Sequence, residues 1–430
     1  MKWLLAGLLV VACGSPGTRP PAPVDQPSAA TRDELVVSAQ EATLVLDATS
    51  GTTLRTLPAG TLSPARDAIV AVTPGGAMCG DPRDMQACTL VQAYDLLGRL
   101  LEEWFLTGRY TLPAQYGPAA SGFSPNGKWL VLVSRDAVLS RFAILDLTRL
   151  GQRSALAGPG LAAPAAKGSH TIVALSARFS FDAIHDDGGA LYLIEHPVEG
   201  ATAYNVRLYE VRAQRLRPEP IFDKAVITRF DPTTGLMDGA FHASVAPVGG
   251  QWQYGLYVKR DGSLFVHALN LAQRFATCIV DLPGRRAASS MLSLALSRDA
   301  GRLFVVDPGA GSAAEIDAAS QKVRRAASFA GRGGTGDPAR AAAVVSPDGG
   351  RLYATGPRGV AVLATADLAL RGWVAAGAEV RALALSTDGG RLYAFAGGAV
   401  EVLEAPSGRS LATFAVPASV RALAVAAAVR

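Results

Sequence analysis

The chain is poor in the residues on which most catalytic centres are built. Its 430 residues include five histidines and four cysteines. No two of His170, His185, His196, His242 and His267 stand at the spacing that puts two metal ligands on one element. A Gly-x-Ser-x-Gly elbow, a His-Glu-x-x-His pair and a calcium loop of alternating carboxylates are all missing. The sequence therefore assigns no catalytic residue, no metal and no cofactor, and the expectation is a protein that is not an enzyme. Charge of one sign is also scarce. The formal net charge is +5, and the arginines are scattered at turns instead of clustered, which speaks against a nucleic-acid partner.

What the chain does have is an internal repeat. Ser124-Pro125-Asn126-Gly127-Lys128-Trp129-Leu130, Ser297-Arg298-Asp299-Ala300-Gly301-Arg302-Leu303, Ser346-Pro347-Asp348-Gly349-Gly350-Arg351-Leu352-Tyr353 and Ser386-Thr387-Asp388-Gly389-Gly390-Arg391-Leu392-Tyr393 are close variants of one line. Each lies between two short apolar runs. Runs this short, bounded by Gly and Asp, read as strands. Asp-Gly and Gly-Gly supply the positive φ that a tight hairpin needs. The Arg after the turn reads as a solvated strand-start residue. A second turn follows each exit strand, as in Glu404-Ala405-Pro406-Ser407-Gly408 and Asp47-Ala48-Thr49-Ser50-Gly51. Four antiparallel strands per unit of about 50 residues make a propeller blade.

Second strands beginning near Leu35, Ile69, Trp129, Leu191, Leu256, Leu303, Leu352 and Leu392 predict eight blades. The Ser63-Pro64-Ala65-Arg66-Asp67 copy lacks a good entry strand, so seven remain open. The ordered region starts at Glu34-Leu35-Val36-Val37, a second strand with no first. It ends with Val420-Arg421-Ala422-Leu423-Ala424-Val425, a first strand with no second. The C-terminal strand is thus expected to close the ring within an all-β domain spanning 34–430. This pattern resembles the YVTN-type and WD-repeat-like bacterial propellers, most strongly from about residue 290. The resemblance implies the fold and is nearly silent on function. The Trp-Asp and Gly-His pairs of eukaryotic WD repeats are absent.

The N-terminus predicts export. One lysine and the apolar residues 4–12 form a signal peptide over 1–12, too short to span a bilayer as a mature helix. Val10-Val11-Ala12-Cys13 resembles a bacterial lipobox, which implies lipidation of Cys13; an ordinary signal peptide with an incidental cysteine is the other reading. The proline-rich residues up to 33 read as an extended tether. The expected location is extracytoplasmic, on the bacterial cell membrane or outer membrane.

Among the remaining candidates, Cys79 and Cys88 flank a proline-containing loop and could form a disulfide, since exported proteins sit where disulfides persist. Cys278 alternates with apolar residues and reads as a buried strand residue. His185 and Asp186 stand in the Asp-Gly turn of the fourth blade, and His242 on an entry strand beside the channel; these are the weak ligand-binding candidates. Gly331-Arg332-Gly333-Gly334-Thr335-Gly336-Asp337 lacks the Lys-Ser/Thr pair of a phosphate loop and reads as a connection between blades six and seven. Insertions over about 150–169 and 215–239 mark blades three to five as the candidate functional surface. The leading expectation is a monomeric, lipid-tethered scaffold that binds a protein, peptide or envelope component. The alternative is a lactonase-like or quinone-dependent propeller enzyme.

Overall fold

The computed structural model describes residues 32–80, 85–113, 122–136, 138–150, 166–197, 202–221, 237–279, 282, 284–334, 336–337, 340–375 and 377–428. The expected signal segment, Cys13 and the expected tether up to Thr31 lie outside the described residues. So do 151–165 and 222–236, which make up most of the two insertions.

Eight antiparallel sheets follow one another around a ring, which settles the blade count at eight. Blades 4 to 8 carry their strands over 179–216, 240–279, 293–328, 343–374 and 382–415. Blade 2 runs over 61–107 and keeps an entry strand of only two residues, Thr61–Leu62, beside Ala68–Cys79. That is why its first strand is nearly invisible in the sequence. Blade 3 is reduced further. Its inner strand is reduced to two isolated bridges, Phe123 to Leu130 and Thr111 to Val133, beside Trp129–Arg135, Ser140–Asp146 and His170–Leu175.

Blade 1 is made from both ends of the chain. Asp33–Ser38 pairs with Ala42–Asp47 on one side and with Ala422–Ala427 on the other, in register from Asp33 opposite Ala427 to Ser38 opposite Ala422. The backbone amide of Ala428 adds a hydrogen bond to the Arg32 carbonyl at 2.8 Å. The ring closes as the sequence indicated, and two sheet edges are removed from solvent.

Blade faces pack on each other, so middle strands are apolar on both sides. Every residue of Leu264–Asn270 is buried. Outer strands such as Lys322–Ser328 hold only exposed and half-buried residues. Cys278 corrects the sequence reading here: it is exposed, although Ala276, Thr277 and Ile279 around it are buried. Phe275–Ile279 is the outermost strand of its blade, and period-two alternation does not distinguish a middle strand from a rim strand.

The repeat line is a turn with a common set of bonds. In blade 8, Ser386 Oγ accepts the Arg391 amide at 2.8 Å, and Asp388 accepts the Gly390 amide at 2.9 Å. Blade 7 repeats this with Ser346 and Asp348, and blade 6 with Ser297 and Asp299. The fourth residue is left-handed each time. It is glycine in blades 3, 4, 7 and 8, but Ala300 (φ 56°) in blade 6 and Arg66 (φ 60°) in blade 2. All 1–2 and 3–4 turns lie on one face of the ring, the turn face. The 2–3 and blade-to-blade connections lie on the opposite, loop face.

The residues after the turn rivet each blade to the next. Tyr353 Oη donates to the Ala405 carbonyl at 2.9 Å, and Tyr393 Oη to the Ala48 carbonyl at 3.0 Å. Tyr192 bonds the Leu271 carbonyl in the same way. Each acceptor is the residue just past the third strand of the following blade. Arg302 and Arg391, expected as solvated strand starts, also cross a seam. Arg302 Nη2 reaches the Thr365 carbonyl and Arg391 Nη1 reaches Thr49 Oγ1, both at 2.8 Å. A long side chain at the strand start overlies the neighbouring blade's turn, so its head group finds acceptors there.

Candidate functional site

The strongest departure from the common blade is the hairpin of blade 2. Its strands, Ala68–Cys79 and Gln86–Asp95, run to twelve and ten residues, against six or seven for the corresponding strands of most other blades. The extra length carries the 2–3 connection beyond the loop face. Residues 73–76 are exposed, and Met78 and Met85 are 55% and 49% exposed. The extension is stapled near its outer end. Cys79 and Cys88, which flank the 2–3 connection, are joined as a disulfide with Cα atoms 5.8 Å apart. Thr89 Oγ1 donates to the Gly108 carbonyl at 2.8 Å and accepts the Tyr110 amide, also at 2.8 Å. The two strands of the arm are therefore tied to each other by the disulfide and to the chain after the outer strand by Thr89.

The insertion of blade 3 takes a different course. It lies in a 3–4 connection on the turn face, and its last part turns outward. Ala166–Lys167 adds in parallel to Leu100–Thr107, the outer strand of blade 2, and Trp104 Nε1 donates to the Ser169 carbonyl at 3.0 Å. The insertion of blade 4 leaves from the loop face and ends at Met237–Asp238, which pairs with Ala203–Glu210. The described ends of the two insertions thus lie on opposite faces of the ring.

His185 takes the place of the turn serine in blade 4. Its Nδ1 lies 2.8 Å from Asp187 Oδ1, which accepts the Gly189 amide at 2.7 Å. Asp186 faces blade 3: Oδ1 accepts the Asn126 amide at 2.8 Å, and its carbonyl accepts Trp129 Nε1 at 3.2 Å. Burial raises the Asp186 pKa, and the Asn126 amide opposes the rise. His242 is buried, with Nε2 on the Leu292 carbonyl at 2.9 Å, at the seam with blade 6. Burial lowers its pKa. These three residues are separate. His185 and Asp186 hold a turn and a seam, and His242 stands one blade away.

A polar cluster between blades 4 and 5 left no mark in the sequence. Tyr204 and Tyr257 stack with ring centroids 5.1 Å apart, and Phe265 continues the stack at 5.2 Å from Tyr257. His267 meets the Tyr257 ring edge-on at 6.1 Å. Asp182, on the inner strand, accepts Gln253 Nε2 at 3.1 Å through Oδ1. Asp182 Oδ2 and both His267 nitrogens have no hydrogen-bond partner among the described residues. Burial pushes the Asp182 carboxyl up to about 7, against the Gln253 hydrogen bond, and pushes His267 down to about 4. Both tyrosines are pushed well above their ordinary value by the same burial. At neutral pH His267 is uncharged and Asp182 is partly protonated. The aromatic alternation of Tyr257, Phe265 and His267 was visible, but only the fold shows that these residues share one blade face.

Among the described residues no group of three or more His, Cys, Asp or Glu side chains is placed to hold a metal ion. No helix among them is long and apolar enough to cross a membrane.

No family model matches the chain, and no curated protein matches it. Solved structures do. AztD from Citrobacter koseri, solved in its apo form, superposes with a TM-score of 0.59 at 14% identity, covering 92% of this chain and 98% of its own. The dihydro-heme d1 dehydrogenase NirN, solved in complex with DHE, superposes with a TM-score of 0.52 at 13% identity, covering 94% of this chain and 77% of its own. At these identities the likeness is one of fold: the chain is an eight-bladed, WD-like β-propeller.

Proposed function

We propose that this protein is an exported, lipid-anchored propeller of YVTN-like type. It acts as a non-catalytic scaffold that binds a protein, peptide or envelope component, with the blade 2 hairpin as its docking arm. One observation carries the reading. The long hairpin is stapled across its 2–3 connection by Cys79–Cys88 and presents Met78 and Met85 to solvent. Methionine is flexible and polarisable and suits adaptable binding surfaces. A clamped arm loses little conformational freedom on docking. The disulfide fits an exported chain, and Cys13 would supply the anchor.

Two experiments test this. A photo-crosslinking residue placed at Met78, in the full chain within its native envelope, is expected to give a discrete crosslinked product. Cys79→Ser with Cys88→Ser should weaken that product several-fold. The same product from a crosslinker at Leu411, an exposed residue on the outer strand of blade 8, would overturn the arm. Cys13→Ala is expected to release the protein from membranes. Retention of that variant, or a visible-light chromophore in the purified protein, would count against the reading.

A further inference from the structure

The outer part of the seam between blades 4 and 5 gathers a thiol, an imidazole and a thioether. Cys278 lies on the outer strand Phe275–Ile279 and His267 on Leu264–Asn270, and the register sets the two directly opposite each other. Opposed residues share a sheet face and hold their Cβ atoms about 4.5–5.5 Å apart. That face is turned to blade 4. Ala276, two residues before Cys278, and Phe265 and Leu269, on either side of His267, all pack with Tyr204 and Val206 of blade 4. Met237 comes from the opposite wall. It pairs with Tyr204 where the blade 4 insertion ends, and it packs in the same cluster as Tyr257 and Phe265. Gly239, two residues on, runs against blade 5: a Cβ there would lie 2.8 Å from the Phe265 ring.

Cys278 is outside the disulfide and reaches solvent. The imidazole beside it is 2% exposed, and neither ring nitrogen has a hydrogen-bond partner among the described residues. Buried polar atoms of folded proteins are paired, so an orphan at this depth points to a ligand or an ion. The burial that pushes His267 down to about 4 keeps its ring neutral at neutral pH. A neutral imidazole offers a lone pair to a metal, whereas a Cys–His nucleophile pair is activated by the imidazolium. The donors select the ion. Thiolate and thioether are soft and favour Cu(I). Among the described residues no carboxylate joins Cys278 and His267 to make a group of three harder ligands. One thiolate and one monovalent cation cancel, so their union buries no net charge. A divalent ion on the same thiolate would leave one positive charge in the seam, at a desolvation cost.

We propose that the outer seam of blades 4 and 5 binds one Cu(I) ion, held by Cys278 Sγ, a His267 ring nitrogen and Met237 Sδ. The exposed thiol gives the ion its way in, and the buried imidazole gives it a place away from water. The two walls of the site belong to different blades, so a bound ion ties blade 4 to blade 5. The proposal does not rest on the blade 2 hairpin.

The test is a competition for Cu(I) between the full-length protein and the chromophoric chelator bicinchoninate, in oxygen-free buffer. Cys13→Ala is the background throughout, so that its thiol does not compete. One Cu(I) per chain is expected to leave the chelator. Cys278→Ala should abolish the transfer. Met237→Leu and His267→Phe should each weaken it by more than about tenfold, since even an outer partner of a metal ligand costs that much. Cys278 is exposed and Met→Leu conserves volume, so these two variants keep the fold and decide the matter even where His267→Phe loses its melting transition. Absence of transfer, transfer that survives Cys278→Ala, an unchanged affinity in Met237→Leu, or tighter binding of Zn(II) than of Cu(I) would each overturn the proposal.

Discussion

Tyr393 shows how one atom links two blades. Its hydroxyl is buried and its acceptor, the Ala48 carbonyl, belongs to the neighbouring blade. Tyr393→Phe keeps the packing and removes the donor, so a loss of about 1–2 kcal/mol is expected in urea denaturation. The equivalent residue of blade 6 is already Phe304, buried without a hydroxyl, so Phe304→Ala should act through cavity formation instead. Asp182 and His267 give a pH signature. Folded Asp182 keeps its proton up to about 7, while the unfolded carboxyl loses it near its ordinary value of 3.8. The unfolded chain then binds fewer protons, so this group lowers stability as pH rises between those values. His267 does the reverse. Its folded pKa of about 4 lies below the ordinary 6.5, so it raises stability as pH rises from 4 to 6.5. The two slopes oppose each other across that window. Asp182→Asn removes one of them. The variant should be more stable than the parent at pH 8, by about 1–4 kcal/mol, and should gain stability from pH 4 to 6.5 where the parent is nearly flat. Urea midpoints at pH 4.5, 6 and 8 check this.

The turn is the element the sequence states most clearly, because its chemistry is local. Ser, Asp and a left-handed residue stand at fixed offsets and bond only within the hairpin. Blade 6 breaks the rule at one place, with Ala300 at φ 56°. Ala300→Gly is expected to raise stability by about 0.4–1 kcal/mol, measured as a higher melting temperature. Ala300→Val should lower it, since a branched side chain resists that backbone region. The entry strands of blades 2 and 3 were hard to read for the opposite reason. A two-residue strand and isolated bridges carry no period to detect, and only the neighbouring strands reveal that a blade is there. Cys278 failed differently: alternation marks which residues share a face, but not whether that face is covered.

At the scale of the whole ring, the match between the first and last strands was legible because the repeat supplies a template for what each end lacks. The seam between blades 4 and 5 was not legible, because Asp182, Tyr204 and His267 come from three strands of two blades and meet only in the closed ring. Deleting residues after Ala418 removes the strand that pairs with Asp33–Ser38 and exposes the edge of blade 1. The truncated chain is expected to lose its sharp thermal transition and to aggregate at micromolar concentration, as judged by calorimetry and light scattering. An unchanged melting curve would show that the ring stays shut without it. The same strand has a consequence in time. Ala422–Ala427 is synthesised after every other blade strand, and its partner, Asp33–Ser38, before them. Seven blades can be complete while the eighth still waits for this strand, so a chain ended before it is left with an open seam for proteases to find.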